Sequence, residues 1–449
     1  MIKLLKFIYI ISLFYLAGCS FDHKTGIWSG NEDERKKISE LERGRAIIKV
    51  EVFSSKKDFD EEINSNTGVQ LTSASEINIS WPMSGLNLKN STGNLIFSGE
   101  LKRIFKKKIG KNKHSYAKVI TAPIIAMDSI LFTDNNGTIF NLNHSGKIKW
   151  KKNIYKKINK EYYKNLSHVF YEDIIFISDN IGYLYSIDKN NGDTIWMKYH
   201  GVPFKSHIKI FNDKILLIDQ DNKILCFNIE DGSQIWSTKT NLSFIKSQGY
   251  LALAVSNEGH VFVINSSGDL YKINIENGEI IWSIPSTDNL MKYETNFFAT
   301  SDIVIDKNAV IFSNIFSNTY SINLKTGLIN WKNNIRSKIT PIIIDDYVFI
   351  LTNNGYAVNI DKISGKIIWS SNILKHFKKR KRKIQITGFV IGSGKIYVTT
   401  INGYLIVCSA LSGKIESYKK IAKSIYLSPI ISDNKLYILT GESKLIVFI

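Results

Sequence analysis

Residues 185–196 read YSIDKNNGDTIW and end in a glycine that is followed four positions later by a tryptophan. This G-x-x-x-W pattern recurs through the last three quarters of the chain, and its tryptophans are separated by 46, 40, 46, 49 and 38 residues. A period of about 40–50 residues built from short strands is typical of a β-propeller. The tryptophans that share this position are Trp150, Trp196, Trp236, Trp282, Trp331 and Trp369.

A single repeat is enough to predict the blade. Apolar and β-branched residues predict strands at Ile339–Ile344, Tyr347–Thr352, Tyr356–Ile360 and Lys366–Ser370. Residues 353–355, Asn-Asn-Gly, predict a tight turn, because glycine tolerates the positive φ that such a turn needs. The outer strand carries the tryptophan. Since the gap between neighbouring blades widens toward the rim, we expect the large indole to dock each blade on the next one.

The number of blades follows from the ends of the repeat array. A seventh copy, GKIES, has Ser417 in place of tryptophan, so seven repeats extend from about residue 117 to residue 421. Ile425–Ile449 then supplies three strand-like pieces, and Leu101–Ile109 resembles an outer strand with Phe105 near the tryptophan position. The sequence therefore predicts an all-β fold: an eight-bladed β-propeller of four-stranded antiparallel blades. An N-terminal strand would close the last blade and leave no free edge.

The N-terminus carries the features of a secretory signal. Lys3 and Lys6 precede an apolar run from Phe7 to Ala17, which is too short for a bilayer span of roughly 20 residues. Residues 16–19, Leu-Ala-Gly-Cys, resemble a lipobox, and this resemblance implies cleavage before Cys19 and lipid attachment to its thiol. The alternative is an ordinary signal peptide with a chance cysteine. We expect a lipoprotein signal peptide at 1–18, a flexible tether at 19–75 and the propeller at 76–449.

The composition limits the kinds of partner and of metal site that the chain is expected to have. The net charge of +19 is compatible with an anionic partner, but the lysines are scattered over nearly every turn, and a coding bias toward lysine is the other explanation. We therefore expect no nucleic-acid partner. Cys226 and Cys408 lie in separate apolar strands, and neither a C-x-x-C pair nor an H-E-x-x-H motif occurs. The sequence accordingly predicts no metal site.

The repeat resembles the family of propellers named for pyrroloquinoline quinone, which share a D-x-x-x-G-x-x-x-W pattern, and WPMSGLN (residues 81–87) resembles the segment before the ring in that family. With the lipobox and tether, the chain is similar to the BamB-like lipoproteins of the outer-membrane β-barrel assembly machinery. This resemblance implies a non-enzymatic scaffold without catalytic residues or cofactor. It further implies a lipid-anchored, periplasm-facing monomer in the outer membrane, which docks on a BamA-like subunit and assists outer-membrane protein clients.

The same resemblance implies where the partner binds. In the family, the loops that enter the fourth and fifth blades carry an apolar-apolar-Arg stretch and a pair of aspartates. This sequence departs from both patterns, since its first loop has lysine instead of arginine and its second offers one glutamate. Phe244 and Phe298 have the alternative interpretation that they begin buried strands. The candidate partner-binding residues are Leu242, Phe244, Ile245, Lys246, Glu294, Phe297 and Phe298.

Two other functions use the same fold. A quinone-dependent dehydrogenase would need adjacent cysteines, a calcium ion and an aspartate base, and no adjacent cysteine pair occurs. A surface-exposed binding or adhesion propeller would use the same anchor. The basic run Lys375–Lys383 is either a solvated loop or a contact to anionic lipid or an acidic partner.

Overall fold

The computed structural model divides the chain into two units, Met1–Lys57 and Asp58–Ile449. It describes residues 59–64, 69–97, 99–111, 121–155, 159, 162–240, 249–285, 299–315, 317–377 and 384–449, all of which belong to the second unit. These residues form β-strands with a short 3-10 turn at Lys375–Phe377. They contain no helix with the length and apolar composition that crossing a bilayer requires.

The strands form eight four-stranded antiparallel sheets, the blades, which are numbered here along the chain. Strand β1 (Arg103–Lys108) precedes the first blade. Blade 1 contains β2 (Ile124–Ile125), β3 (Ile130–Thr133), β4 (Thr138–Leu142) and β5 (Ile148–Asn153), and blade 2 contains β6 (Leu166–Tyr171), β7 (Ile174–Asp179), β8 (Tyr183–Asp188) and β9 (Thr194–Tyr199). Blade 3 contains β10 (Lys209–Phe211), β11 (Lys214–Ile218), β12 (Lys223–Asn228) and β13 (Gln234–Lys239), and blade 4 contains β14 (Ala252–Val255), β15 (His260–Ile264), β16 (Asp269–Asn274) and β17 (Ile280–Pro285).

The second half of the ring repeats this plan. Blade 5 contains β18 (Val304–Ile305), β19 (Ala309–Ser313), β20 (Thr319–Asn323) and β21 (Ile329–Asn333), and blade 6 contains β22 (Ile342–Ile344), β23 (Tyr347–Leu351), β24 (Tyr356–Asp361) and β25 (Ile367–Asn372). Blade 7 contains β26 (Ile386–Gly392), β27 (Lys395–Thr400), β28 (Tyr404–Ser409) and β29 (Ile415–Lys420). Blade 8 contains β30 (Ile430–Ser432), β31 (Lys435–Leu439), β32 (Lys444–Phe448) and, as its outer strand, β1.

Burial follows the position of a strand within its blade. In blade 3, the second strand KILLI and the third strand KILCFN are buried at four positions each, whereas the outer strand QIWSTK is mostly exposed. The inner strands are covered on both faces by neighbouring blades and therefore read as continuous apolar runs. The outer strand has a solvent-facing edge, so its sequence mixes apolar residues with polar ones. The core is accordingly a ring of apolar clusters between adjacent blades.

The two ends of the described unit meet in blade 8. Strand β1 pairs with β32, with Phe105 opposite Val447 and Lys106 opposite Ile446. Lys102 and Ile449 exchange backbone hydrogen bonds of 3.2 and 3.0 Å beside this ladder. The predicted eight-bladed ring with an N-terminal closing strand is thereby confirmed, and closure pairs a strand edge that would otherwise stay open.

Candidate functional site

The six repeated tryptophans lie on the outer strands, and each contacts the following blade. The indole of Trp150 in blade 1 lies against Gly192 in blade 2, and its Nε1–H donates to the carbonyl oxygen of Lys189 at 2.8 Å. A Cβ at Gly192 would lie 2.8 Å from the indole, so the contact requires glycine. The other tryptophan–glycine pairs are Trp196–Gly232, Trp236–Gly278, Trp282–Gly327, Trp331–Gly365 and Trp369–Gly413.

The boundary where the repeat degenerates has a different construction. Ser417 occupies the tryptophan position of blade 7, opposite Val407. Blade 8 has no turn between its third and outer strands, because β32 and β1 come from opposite ends of the described unit. At the next boundary, Phe105 of blade 8 lies against Gly146 of blade 1, where an added Cβ would approach the ring to 3.3 Å. An aromatic side chain therefore occurs where the following blade offers a glycine turn.

The ring has two ends that differ in their loops. At one, here the turn end, the first and second strands of each blade connect, as do the third and fourth. At the other, the connection end, the chain passes from one blade to the next. The loops with Leu242, Phe244, Ile245 and Lys246 and with Glu294, Phe297 and Phe298 join blades 3 to 4 and 4 to 5. These seven residues, like Cys19, lie outside the described residues.

The turn end of the ring is covered by residues 76–97, the plug segment. It makes backbone hydrogen bonds with the first strands of blades 1, 2, 4, 5 and 7, each 2.7–3.1 Å long. Asn78 extends the contact to blade 8, where its side chain donates to the Ile431 carbonyl oxygen at 2.8 Å. The plug therefore ties separate blades together. The backbone pairs are Trp81–Ile125, Pro82–Phe170, Leu88–Val255, Lys89–Ile305 and Leu95–Ile391.

A buried lysine anchors the plug. Lys209, the first residue of β10, donates from Nζ to the carbonyl oxygens of Ser84 and Asn87 at 2.8 and 2.7 Å and to Asn90 Oδ1 at 2.6 Å. Burial lowers the pKa of this amine to about 7, and the nearby charge of Asp302 acts in the opposite direction. Because Lys209 is only 1% exposed, the contacts with the three oxygen acceptors replace those that it would make with water.

Asn90 extends this anchor to two further blades. Its Nδ2 donates to the carbonyl oxygens of Leu253 in blade 4 and Ile303 beside blade 5, at 3.0 and 2.9 Å. Neither Lys209 nor Asn90 was among the residues that the sequence singled out. For Lys209, the available signal was a charged residue at the start of an apolar inner strand. For Asn90, it was the position three residues after the segment WPMSGLN.

A small cavity of about 170 Å³ lies on the ring axis beside the plug. Its polar lining includes His207, Asp302, Thr340 and Ser428. Burial lowers the pKa of His207 to about 3, with a further contribution from Lys209, and burial raises the pKa of Asp302. These polar groups are set among apolar side chains such as Ile342, Phe389 and Leu427, so the lining of the cavity is mixed.

The residues do not fit the quinone site of the dehydrogenases with this fold. Cys226 and Cys408 lie on β12 and β28, in blades 3 and 7, and burial raises the pKa of both thiols to about 12. Within the described ranges, no group of three His, Cys, Asp or Glu side chains converges as a metal site would require. The adjacent cysteines and the cation ligands of such a site are therefore not provided by this part of the chain.

Residues 59–64 and 69–75, the strap segment, contact blade 6. Ile63 exchanges backbone hydrogen bonds of 3.1 and 2.9 Å with Ser370 on outer strand β25. The Phe59 ring packs edge-on against Tyr356 at 5.8 Å, and Thr72 N donates to Asp345 at 2.8 Å. These residues fall within the predicted tether, whose boundary at residue 75 stays a prediction.

The closed ring and its tryptophan–glycine repeat define a propeller of the pyrroloquinoline-quinone repeat class. The profile of the family described as "Outer membrane protein assembly factor BamB" matches residues 135–371, more than half of the chain. The chain therefore belongs to the BamB family.

Individual relatives are distant. The chain is 21% identical to the outer membrane protein assembly factor BamB of Moranella endobia (strain PCIT), over 63% of this chain and 74% of that protein. It is 23% identical to an uncharacterized protein of Rickettsia conorii, over 75% of this chain and 85% of that protein. The crystal structure of BamB from Moraxella catarrhalis has a TM-score of 0.65 at 14% identity, covering 78% of this chain and 99% of that chain. A europium-containing methanol dehydrogenase reaches 0.61 at 12% identity, covering 82% and 98%. At such identities both structures show the fold alone.

Proposed function

We propose that this protein is a non-enzymatic scaffold of the outer-membrane β-barrel assembly machinery. It docks on a BamA-like barrel-forming subunit and assists the folding and insertion of outer-membrane protein clients. The observation that carries the proposal is the family match over residues 135–371, which spans the blades on both sides of the two candidate docking loops.

The proposed docking surface lies on the connection end of blades 3 to 5. Strand β13 ends at Lys239 and β14 begins at Ala252, so the first loop is held between two four-stranded sheets. The second is held in the same way between Pro285 and Val304. Aromatic and aliphatic side chains are suitable interface anchors, because they bury a large apolar area on binding. The proposed contacts are Leu242, Phe244, Ile245, Lys246, Glu294, Phe297 and Phe298.

The plug makes the two ends unequal, and this supports docking at the connection end. The first-strand backbone atoms at the turn end are engaged by residues 76–97 of the same chain. The inter-blade loops belong to the opposite end, so a partner there does not compete with the plug.

Location and lack of catalysis complete the proposal. Residues 1–18 act as a lipoprotein signal peptide, Cys19 carries the lipid, and the following residues tether a periplasm-facing ring to the outer membrane. No catalytic role is assigned, because the separated thiols of Cys226 and Cys408 do not reproduce a quinone site.

Site-specific crosslinking in cells tests this proposal. A photoreactive amino acid is placed at Phe244 or at Phe298, and the matched control is Lys307, an exposed residue of a blade 5 turn at the plugged end. We expect adducts with the BamA-like subunit from both phenylalanine positions and none from Lys307. Adducts from Lys307 alone, or none from either phenylalanine position, would contradict the proposed docking surface.

A further inference from the structure

Positive charge is concentrated on one side of the ring. The outer strands of the consecutive blades 7, 8 and 1 carry nine lysine and arginine residues and one acidic residue, Glu416. The outer strands of blades 3, 4, 5 and 6 together carry two lysines, Lys239 and Lys332, and no acidic residue. We call the first set the basic flank: Arg103, Lys106, Lys107, Lys108, Lys149, Lys151, Lys152, Lys419 and Lys420.

The three strands of the flank are neighbours in space although they are distant in sequence. Lys106 Nζ of blade 8 donates to the Ile421 carbonyl oxygen, which follows blade 7, at 2.8 Å. Lys107 Nζ donates to the Gly146 carbonyl oxygen of blade 1, also at 2.8 Å. Both acceptors are neutral, so these contacts orient the lysines and leave their charge uncompensated.

Few carboxylates compensate the flank. Lys149 pairs with Asp128 at 3.0 Å, and Lys152 pairs with Asp193 at 2.8 Å. Among the carboxylates of the described residues, none lies within ion-pair distance of the other seven cations. The flank therefore presents a net positive field at the rim.

Apolar side chains are interleaved with these cations. Ile104 is 48% exposed on β1, Ile148 is 40% exposed on β5, and Tyr418 is 48% exposed on β29. Each is adjacent in sequence to a cation of its own strand: Ile104 to Arg103, Ile148 to Lys149 and Tyr418 to Lys419. Cations around exposed aliphatic and aromatic groups are the composition of surfaces that rest in a lipid head-group region.

We propose that the basic flank rests on a membrane surface rich in anionic phospholipid head groups, with the ring standing on the rim of blades 7, 8 and 1. This inference rests on the proposed function, which places the ring beside a membrane. Eight of the nine cations are lysines, which act as point charges, and they spread over three strand edges. Such a diffuse array of point charges suits head groups distributed in a plane. A specific carboxylate partner would be bound better by the bidentate contact that arginine makes.

The path of the chain agrees with this orientation. The strap segment joins the ring at blade 6, which adjoins blade 7 at one end of the flank. A chain that runs from a lipid anchor to Phe59 therefore reaches the ring next to the proposed membrane-facing rim. The docking loops enter blades 4 and 5, on the other side of the ring, and stay accessible to a protein partner.

Lysine labelling tests the inference on the whole protein as isolated from membranes. The protein is reconstituted into vesicles of phosphatidylcholine, or of phosphatidylcholine with phosphatidylglycerol, and an amine-reactive reagent measures the labelling rate of each lysine by mass spectrometry. In the anionic vesicles we expect at least fivefold slower labelling of Lys108, Lys151, Lys419 and Lys420. Lys239 and Lys332, on the opposite rim, should be unaffected, and high salt should remove the protection.

A charge-neutral variant supplies the matched control. With Arg103→Gln, Lys108→Gln, Lys151→Gln and Lys419→Gln, the remaining Lys420 should lose its protection, whereas Lys239→Gln with Lys332→Gln should leave it intact. Equal labelling of flank and opposite lysines in anionic vesicles would overturn the inference. Protection that arises only after a BamA-like subunit is added would also overturn it and would identify an acidic protein as the occupant. Crosslinking from Phe244 and Phe298 is measured separately, so the docking function and the membrane contact succeed or fail independently.

Discussion

The six blade boundaries that carry tryptophan and the boundary between blades 7 and 8 show two ways to join propeller blades. In the six, an indole packs on a glycine turn of the next blade, as Trp236 does on Gly278. Around blade 8, Ser417 faces a sheet without that turn, and strand β1 adds backbone pairing to β32. A tryptophan therefore accompanies a glycine turn on the next blade, whereas blade 8 has no third-to-outer turn and is completed by the pairing of β1 with β32.

Breaking closure should give the largest effect. Ile446 on β32 is 1% exposed and pairs with Ile438 on one side and Lys106 on the other. Ile446→Pro removes a ladder hydrogen bond from a strand that is paired on both sides, which should cost about 3 kcal/mol or more of the free energy of unfolding. Denaturant titration followed by tryptophan fluorescence measures it. Lys106→Ala, which keeps the pairing, should stay close to the parent, and equal midpoints for both variants would show that closure contributes little.

A glycine substitution tests how tightly the indole packs on its receiving turn. Gly278 and Gly394 have nearly equal φ values, 75° and 74°, but an added Cβ would lie 2.6 Å from Trp236 at Gly278 and would meet nothing within 4 Å at Gly394. Both alanine variants incur about 1–2 kcal/mol of left-handed backbone strain. Gly278→Ala should lose about 1–3 kcal/mol more, because the indole must move. Equal losses in the same titration would mean that the indole contact is not tight.

A pH series compares the polar contacts at two boundaries. His168 of blade 2 donates from Nε2 to the Ala122 carbonyl oxygen, which precedes blade 1, at 2.8 Å, whereas Thr399 of blade 7 donates to the Leu427 carbonyl oxygen, which precedes blade 8, at 3.0 Å. Burial lowers the pKa of His168 to about 4. Its unfolded form binds a proton below about pH 6.5 and its folded form only near pH 4, so stability falls as the pH drops between these values, by about 3 kcal/mol in total.

The variant His168→Gln retains a donor but does not titrate, so unfolding titrations at pH 7 and pH 4 should show a smaller loss than in the parent. His376→Gln, at an exposed position, is the matched control and should keep the parent's pH dependence. An unchanged pH dependence in His168→Gln would assign the acid sensitivity to other groups.

The smallest effect is expected at Ser417. Ser417→Trp restores the tryptophan of the repeat at an exposed outer-strand position, but blade 8 has no turn between its third and outer strands to receive the indole. Its free energy of unfolding should change by no more than about 0.5 kcal/mol relative to Ser417→Ala. A clear stabilisation would show that the tryptophan packs on the rim without a receiving glycine.

The blade count and the closing strand were predictable because they depend on local patterns. Each repeat of about 50 residues or fewer contains its own strands and turn glycines, and the recurrence of the repeats gives the number of blades. The similarity of Leu101–Ile109 to an outer strand predicts the strand that completes the last blade. The candidate docking loops, by contrast, depend on family resemblance and stay predictions. The plug anchor escaped prediction because Lys209 is a charged residue in an apolar run, and its acceptors at Ser84 and Asn87 lie more than a hundred positions earlier.

By itself, the sequence determined the class of fold, the number of blades and the strand that closes the ring, since each repeat encodes its own strands and turns. Only the tertiary structure decided which side chains meet. It placed each tryptophan on the glycine of the next blade, seated the plug on Lys209, and brought residues 103–108, 149–152 and 419–420 to one rim. The physical reason is that closing a ring makes neighbours of segments hundreds of residues apart, and charges that look evenly scattered along the chain then add to a single field.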